Sequence, residues 1–440
     1  MAQISARAGA IPDDAYHTRL DAIARSPEMR EDNITLPDAP AMKIAGVLGA
    51  VGVFSLLLVV IGGFVHNWSH ALAAFEIGLF VCTAASLGSL FLVMIWHSLN
   101  AGWHVTVRRQ FENIASLIPF CCLGLLVVII VELIGPGHEG SGVLLTWLLD
   151  VKQGDHLVHH KSGYLNPGFL VVRWCVYAVV WSFLALRLRA LSREQDRTGN
   201  RWLSRKMRFM SGWGLLITAL TSAFASFDFL MSMDYRFFST MWGVYFFAVS
   251  VLAAVSLASI ILAVIRSMGR LTGVVTEEHF HDLGKLVFAF TCFWAYISFG
   301  QYFLIWYSNI PEETYFFIIR TTAQWKPLFV TLAFAHFVVP FVLLVPRVPK
   351  RSTLGLGLAG VYMLILTIAD LVWVIRPMVY VDQPWAPTDP GVMAWWLDAA
   401  GVIGVLGIFG ALLVRQIASA PLVPTKDPML HEALAHKNYV

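Results

Sequence analysis

An all-α integral membrane fold of about ten transmembrane helices is what this sequence predicts, and three observations predict it. Of 440 residues, 58% are hydrophobic and 13% charged, with a mean hydropathy of +0.68, far from the balance of a water-soluble domain. Ten apolar stretches reach the about 20 residues that a helix needs to cross a hydrocarbon core roughly 30 Å thick. These stretches are long and evenly apolar, unlike the short alternating segments of a closed barrel, the other fold that satisfies its backbone in lipid.

Taken in order, residues 1–41 carry both charge signs and several prolines but no apolar core, so they read as a retained surface segment and not as a cleaved signal peptide. The membrane domain, 42–416, then holds spans at 42–64, 72–96, 113–135, 168–188, 209–231, 240–266, 283–307, 325–346, 354–376 and 394–416. A polar tail, 417–440, follows. Of the 31 Lys and Arg, 24 fall on the side that holds both termini and 7 on the other, which predicts cytoplasmic termini by the positive-inside rule. The connection "RLRALSREQDRTGNRWLSRKMR" (187–208) alone supplies eight of them. On the opposite side the longest connection, 136–167, is long enough for a short interfacial helix. Its histidines, His156, His159 and His160 in "GDHLVHH", read as a solvated docking loop without the spacing of a known metal site.

The net charge of +3 is small and scattered and leaves no footprint for nucleic acid. Five cysteines lie in apolar runs without a C-x-x-C pair and read as packing residues. Only His336 lies deep in a span, so the facing imidazoles that a bis-histidine haem needs are not expected.

An ionisable side chain inside a span is costly and must find a partner or water, so each is a site candidate. Glu76, Glu132 and Asp228 fall in the outer thirds of spans 2, 3 and 5, at the level of Arg173 in span 4. Asp228 is read either as a proton-carrying group, reached along the stripe Thr218, Thr221 or Ser222 and Ala225, or as the ion-pair partner of Arg173. In the second half, Lys285, Gln301, His336 and Asp370 lie at successive depths of spans 7 to 9. His336 is either a hydrogen-bonding contact between helices or a proton relay, with Pro340 expected to kink its span. Lys285 is expected to snorkel to the interface, with Asp282 capping its helix. Spans 2–5 and 6–9 each close on a helix with one outer-half aspartate, "ASFDFL" and "TIADLV", which predicts two equivalent four-helix bundles related by a parallel duplication.

The aromatic-rich run "TCFWAYISFGQYFLIWYSNI" (291–310) is two-faced at 100° per residue. Trp294, Ser298, Gln301 and Ile305 share one side; Lys285, Cys292, Tyr296, Phe299 and Phe303 share the other. Ser298 and Gln301 form a polar notch, to be satisfied by a neighbouring helix or used in a hydrated path or quinone contact, and "PEET" (311–314) ends the span.

Three stretches carry more than membrane physics: "HKSGYLNPGFLVVR" (160–173), "FDFLMSMDYRFFSTMWGVYFFAVS" (227–250) and "HDLGKLVFAFTCFWAYISFGQYFLIWYSNIPEET" (281–314). They resemble the F subunits (ActF) of bacterial alternative complex III, members of the polysulfide-reductase-type (NrfD-like) family of integral membrane proteins. The resemblance implies a multi-pass inner-membrane subunit of a respiratory quinol:cytochrome c oxidoreductase, with two flanking helices beside the two bundles. It implies no cofactor in this chain apart from quinol contact, with iron-sulfur clusters and c-type haems in partner subunits. Those partners would be an NrfD-like C subunit that oxidises quinol, an iron-sulfur B subunit, c-type cytochrome subunits, a terminal oxidase and lipid. The family's proposed proton conduction maps here onto Asp228, His336, Asp370, Glu76, Glu132 and Lys285. An independent secondary transporter and a purely structural scaffold are the alternatives. Transporters tend to show inverted repeats and helices broken around a midplane site, whereas this repeat reads as parallel.

Overall fold

The computed structural model describes residues 13–135, 142–149, 154–321, 325–380 and 394–438. Residues 1–12 of the amino-terminal segment, and 136–141 and 150–153 of the long connection, lie outside the described residues.

Among the described residues, ten helices are long and apolar enough to cross a membrane. They are span 1 Asp38–Val65, span 2 Trp68–Leu99, span 3 Ile118–Ile134, span 4 Pro167–Thr198, span 5 Trp202–Phe229, span 6 Trp242–Ser267, span 7 Glu277–Ser308, span 8 Lys326–Leu344, span 9 Thr353–Ile375 and span 10 Trp395–Ala418. No strand occurs among the described residues, and the chain is an all-α, multi-pass integral membrane protein.

Packing sorts the spans into two rings. Spans 2, 3, 4 and 5 contact one another in cyclic order, and spans 6, 7, 8 and 9 do the same. The rings meet along spans 2 and 6, flanked by contacts of span 5 with span 6 and of span 9 with span 2. Exchanging span 2 for 6 and span 5 for 9 maps this interface onto itself, the pattern of two bundles related by a two-fold axis along the helices. Spans 1 and 10 pair with each other and lean on span 2 as the flanking helices. The helices come this close because small residues sit at the crossings, as association in lipid requires. A Cβ on Gly88 would lie 1.9 Å from the Ser250 carbonyl oxygen, and one on Gly401 would lie 2.3 Å from that of Ala74.

An even number of alternating helices leaves both terminal segments on one face, here the terminal face, opposite a loop face. The two segments touch there. Leu422 donates its backbone N–H to Ile34 at 2.7 Å, and Tyr16 donates its hydroxyl to the Lys426 carbonyl at 3.2 Å.

Several local expectations need correction. The connection 187–208 is mostly helix: spans 4 and 5 run on past the apolar core and turn at Gly199, whose φ of +66° favours glycine. Span 3 is preceded by a separate helix, Val105–Ala115, and the break comes just before Pro119, which lacks an N–H for a continuing ladder. Asp282 does not cap span 7. The helix starts earlier, at Glu277, and Thr276 and His279 form its capping box. "PEET" does more than end that span, because Pro311 opens a new helix, Pro311–Thr321, with Glu312 and Glu313 favourably placed in its first turn. In span 8 the turn before Pro340 is a π-helix, Leu332–Val338, which absorbs the missing backbone donor. The loop-face connection does form a short helix, His156–Lys161, in which the exposed rings of His156 and His160 stack.

Candidate functional site

In the first bundle Asp228, near the loop-face end of span 5, is held by two residues one turn apart on span 4. Arg173 Nε donates to Asp228 Oδ1 at 3.1 Å and Oδ2 at 2.9 Å, and the Tyr177 hydroxyl donates to Oδ2 at 2.7 Å. Arg173 also donates to the Tyr164 carbonyl at 2.9 Å and lies 3.9 Å over the Tyr164 ring. Both charges are buried, so this is a pair that must stay together. The hydroxyls of Thr218 and Ser222 line the buried side of span 5 below it, while Thr221 accepts from the Trp181 indole at 2.8 Å.

Glu132 closes span 3 and turns its carboxylate into a row of backbone donors. It accepts from Val143 at 2.7 Å, Leu144 at 2.8 Å and Leu145 at 3.2 Å, while its own carbonyl accepts from Gly142 at 2.8 Å. Successive amides cupping one carboxylate make an anion nest, so Glu132 anchors the 142–149 segment on the loop face. Glu76 lies within electrostatic reach of Glu132, is 1% exposed, and leaves Oε2 without a partner.

The second bundle is arranged differently. Asp370 of span 9 accepts on Oδ2 from the Tyr245 hydroxyl of span 6 at 2.6 Å and from the Trp294 indole of span 7 at 3.0 Å. No hydrogen bond reaches Oδ1, and no described cation pairs with this carboxylate. His336 lies inside the π-helical turn with its ring centroid 3.9 Å from that of Trp294, and neither of its nitrogens has a partner.

Asp370, Gln301 and Ser298 share the wall of a cavity of about 570 Å³ between spans 6, 7, 8 and 9 and the helix Pro311–Thr321. Span 7 is two-faced as its sequence implies: Tyr296 and Phe299 are exposed, whereas Trp294 and Gln301 are buried. Rings of other elements, among them Phe316, Phe337 and Trp373, close the cavity together with Trp294, Tyr296, Phe299 and Tyr302 of span 7. Gln301 accepts from Ser239 at 3.3 Å, and Ser298 leaves its hydroxyl without a partner. The structure therefore brings Asp370, Gln301 and Ser298 together, with His336 one ring behind. It keeps Asp228, Glu76 and Glu132 in the other bundle. Lys285 lies on span 7 sixteen residues before Gln301, about 24 Å at 1.5 Å per residue, and pairs on the terminal face with Asp282 at 2.5 Å and Asn438 at 2.9 Å.

Sequence reasoning missed three polar clusters. Arg320 reaches from the helix Pro311–Thr321 to the carbonyls of Trp373 at 3.1 Å and Val374 at 2.6 Å, fastening that helix over the cavity. Arg376 donates to Asp398 at 3.0 Å and to His70 Nδ1 at 3.2 Å, and His70 Nε2 lies 3.1 Å from Asp398, tying spans 2, 9 and 10 together. That geometry makes Nε2 the protonated nitrogen of His70. On the terminal face, Arg108 and Arg109 share Glu112, Arg108 reaches Asp427 at 2.6 Å, and Arg109 donates to Asp196. The run "VRRQFEN" (107–113) carried a signal for this last cluster, since Arg and Glu at spacings of three and four share a helix face.

Compared with known proteins, the chain matches no protein-family model and no curated protein.

Proposed function

We propose that this chain is a membrane subunit of a respiratory quinol:cytochrome c oxidoreductase of the alternative complex III type. In that role it supports a quinol-oxidising C subunit and conducts protons through its bundles. The observation that carries this reading is the doubled bundle with a buried carboxyl at matching positions, Asp228 and Asp370, combined with the motif resemblance of 160–173, 227–250 and 281–314. Buried hydroxyls without hydrogen-bond partners at Thr218 in the first bundle and Ser256 in the second are positions where water would complete a path, as is His336. The excess of Lys and Arg on the terminal face supports cytoplasmic termini in a bacterial inner membrane. Haems, iron-sulfur clusters and the electron acceptor then belong to partners on the loop face.

The test is purification of the tagged chain from its native membrane in a mild detergent. Co-migration with c-type haem and an iron-sulfur signal supports the proposal; migration alone, without haem-bearing partners, sinks it. A scaffold role without proton movement is the second reading, favoured by the Arg173–Asp228 pair and the Glu132 nest, both of which lock groups in place.

A further inference from the structure

We infer that the groove along the bundle seam, between spans 2, 5 and 6, seats one anionic phospholipid, with its acyl chain in the groove and its phosphate at Arg208. This goes beyond the redox-subunit reading, which requires no particular lipid, and beyond the bulk lipid that touches every exposed span.

The groove is the first observation. Phe91 and Ile95 of span 2, Leu216, Ala219 and Ala223 of span 5 and Phe247 of span 6 wall a cavity of about 430 Å³, within the roughly 300–1,000 Å³ that holds an organic ligand. Leu216 and Ala219 also belong to the exposed surface, which in a membrane faces lipid, so the groove opens sideways to hydrocarbon. Its chemistry suits a chain. No charged or amide side chain lines it, and Ser222 donates its hydroxyl to the Ala219 carbonyl of its own helix at 3.1 Å. At the loop-face end spans 5 and 6 touch, where a Cβ on Gly243 would lie 2.5 Å from that of Ala223.

Charge at the opposite end is the second. At 100° per residue Arg208 lies within about 40° of Leu215, Ala219 and Ser222, so it continues the groove face of span 5 toward the terminal face. It stands directly before the apolar run that begins at Phe209, at the level where lipid phosphates lie, and Trp202 and Trp213 are exposed on either side of it along the helix. Arg208 is exposed and pairs with no described residue. It lies within electrostatic reach of His97 at the end of span 2. There His97 Nε2 and Ser98 Oγ have no partner, and Ser98 follows Phe91 and Ile95 on one helix face. A phosphate accepts from the guanidinium and from the Ser98 hydroxyl.

Length is the third. Arg208 and Ala223 are fifteen residues apart, about 22 Å along the helix. One leaflet with its headgroups measures roughly 20–22 Å, half of a 40–45 Å bilayer. Groove and cation are thus spaced as the tail and phosphate of a single lipid.

The test uses the full chain in dodecyl maltoside, with native mass spectrometry reading the lipid retained. One palmitoyl-oleoyl-phosphatidylglycerol per chain is expected, held in preference to the phosphatidylcholine of the same chains. Arg208→Gln should weaken retention about five- to tenfold, whereas Lys206→Gln, on the opposite face of span 5, should leave it unchanged. Ala219→Phe and Leu216→Trp fill the groove, and either one that stays monodisperse should lose the adduct. Equal retention of phosphatidylcholine, equal effects of Arg208→Gln and Lys206→Gln, competition by glycerol 3-phosphate alone, or an adduct that survives in a filled variant would each overturn the assignment. None of these readouts depends on haem-bearing partners, so failure here and failure of the co-purification are separate results.

Discussion

Trp294 donates its indole N–H to Asp370 across 3.0 Å, linking span 7 to span 9, and packs its ring against His336 of span 8. One side chain thus fixes the orientation of the free carboxylate oxygen and covers the buried ring of His336. The first bundle has no counterpart to this arrangement at Asp228, where a guanidinium takes both oxygens.

The two aspartates should therefore respond differently to neutralisation. On the proposed function, Asp370→Asn is expected to lower the protons translocated per electron while leaving assembly with the proposed partners intact. An unchanged ratio removes Asp370 from any proton path.

Arg173→Met leaves Asp228 buried with only Tyr177 as donor and should destabilise the chain by about 3–5 kcal/mol. Adding Asp228→Leu should recover most of that loss, because two apolar groups replace a broken buried pair. Thermal unfolding in detergent reads both variants, and equal stability of the single and double variants contradicts the assignment.

Glu132→Gln puts an amide nitrogen against backbone donors that now share a carboxylate. Backbone amides at 143–145 should then exchange hydrogen faster, with a local cost of about 1–3 kcal/mol, while proton translocation is unaffected. A fall in translocation without faster exchange would return Glu132 to the proton path.

Gly88→Ala sets a methyl against the Ser250 backbone, which cannot move aside as a side chain would. The two bundles must separate slightly, at a cost of about 1–3 kcal/mol or more. A thermal midpoint matching that of the native chain would show that the bundles pack less closely than this.

His104, in the turn before the helix Val105–Ala115, is buried against Trp96. Burial, reinforced by the nearby Arg108, pushes its pKa well below the usual histidine value of 6.5. The folded chain thus resists protonating a ring that the unfolded chain protonates freely. Its share of stability is present above pH 6.5 and is lost as pH falls below that value. His104→Phe keeps the stack and should flatten the acid side of the stability profile by about one proton; an unaltered profile rules out this linkage.

Much of the architecture was legible because a bilayer imposes a simple length test. The apolar runs located all ten spans, and the paired motifs around Asp228 and Asp370 anticipated two bundles. Helix ends were less legible, since spans 4 and 5 continue on charged residues once past the apolar core. Two-faced span 7 was read correctly from its own period, but its rings could not be assigned to a cavity, because the rest of the wall comes from elements far apart in sequence.

By itself, the sequence determined that this chain crosses the membrane as helices and which residues are costly to bury there. Only the tertiary structure decided the partner of each: a guanidinium for Asp228, backbone amides for Glu132, an indole and a phenol for Asp370. Hydropathy is a sum over neighbours along the chain, whereas a buried polar group is satisfied by whatever the fold brings within about 3 Å.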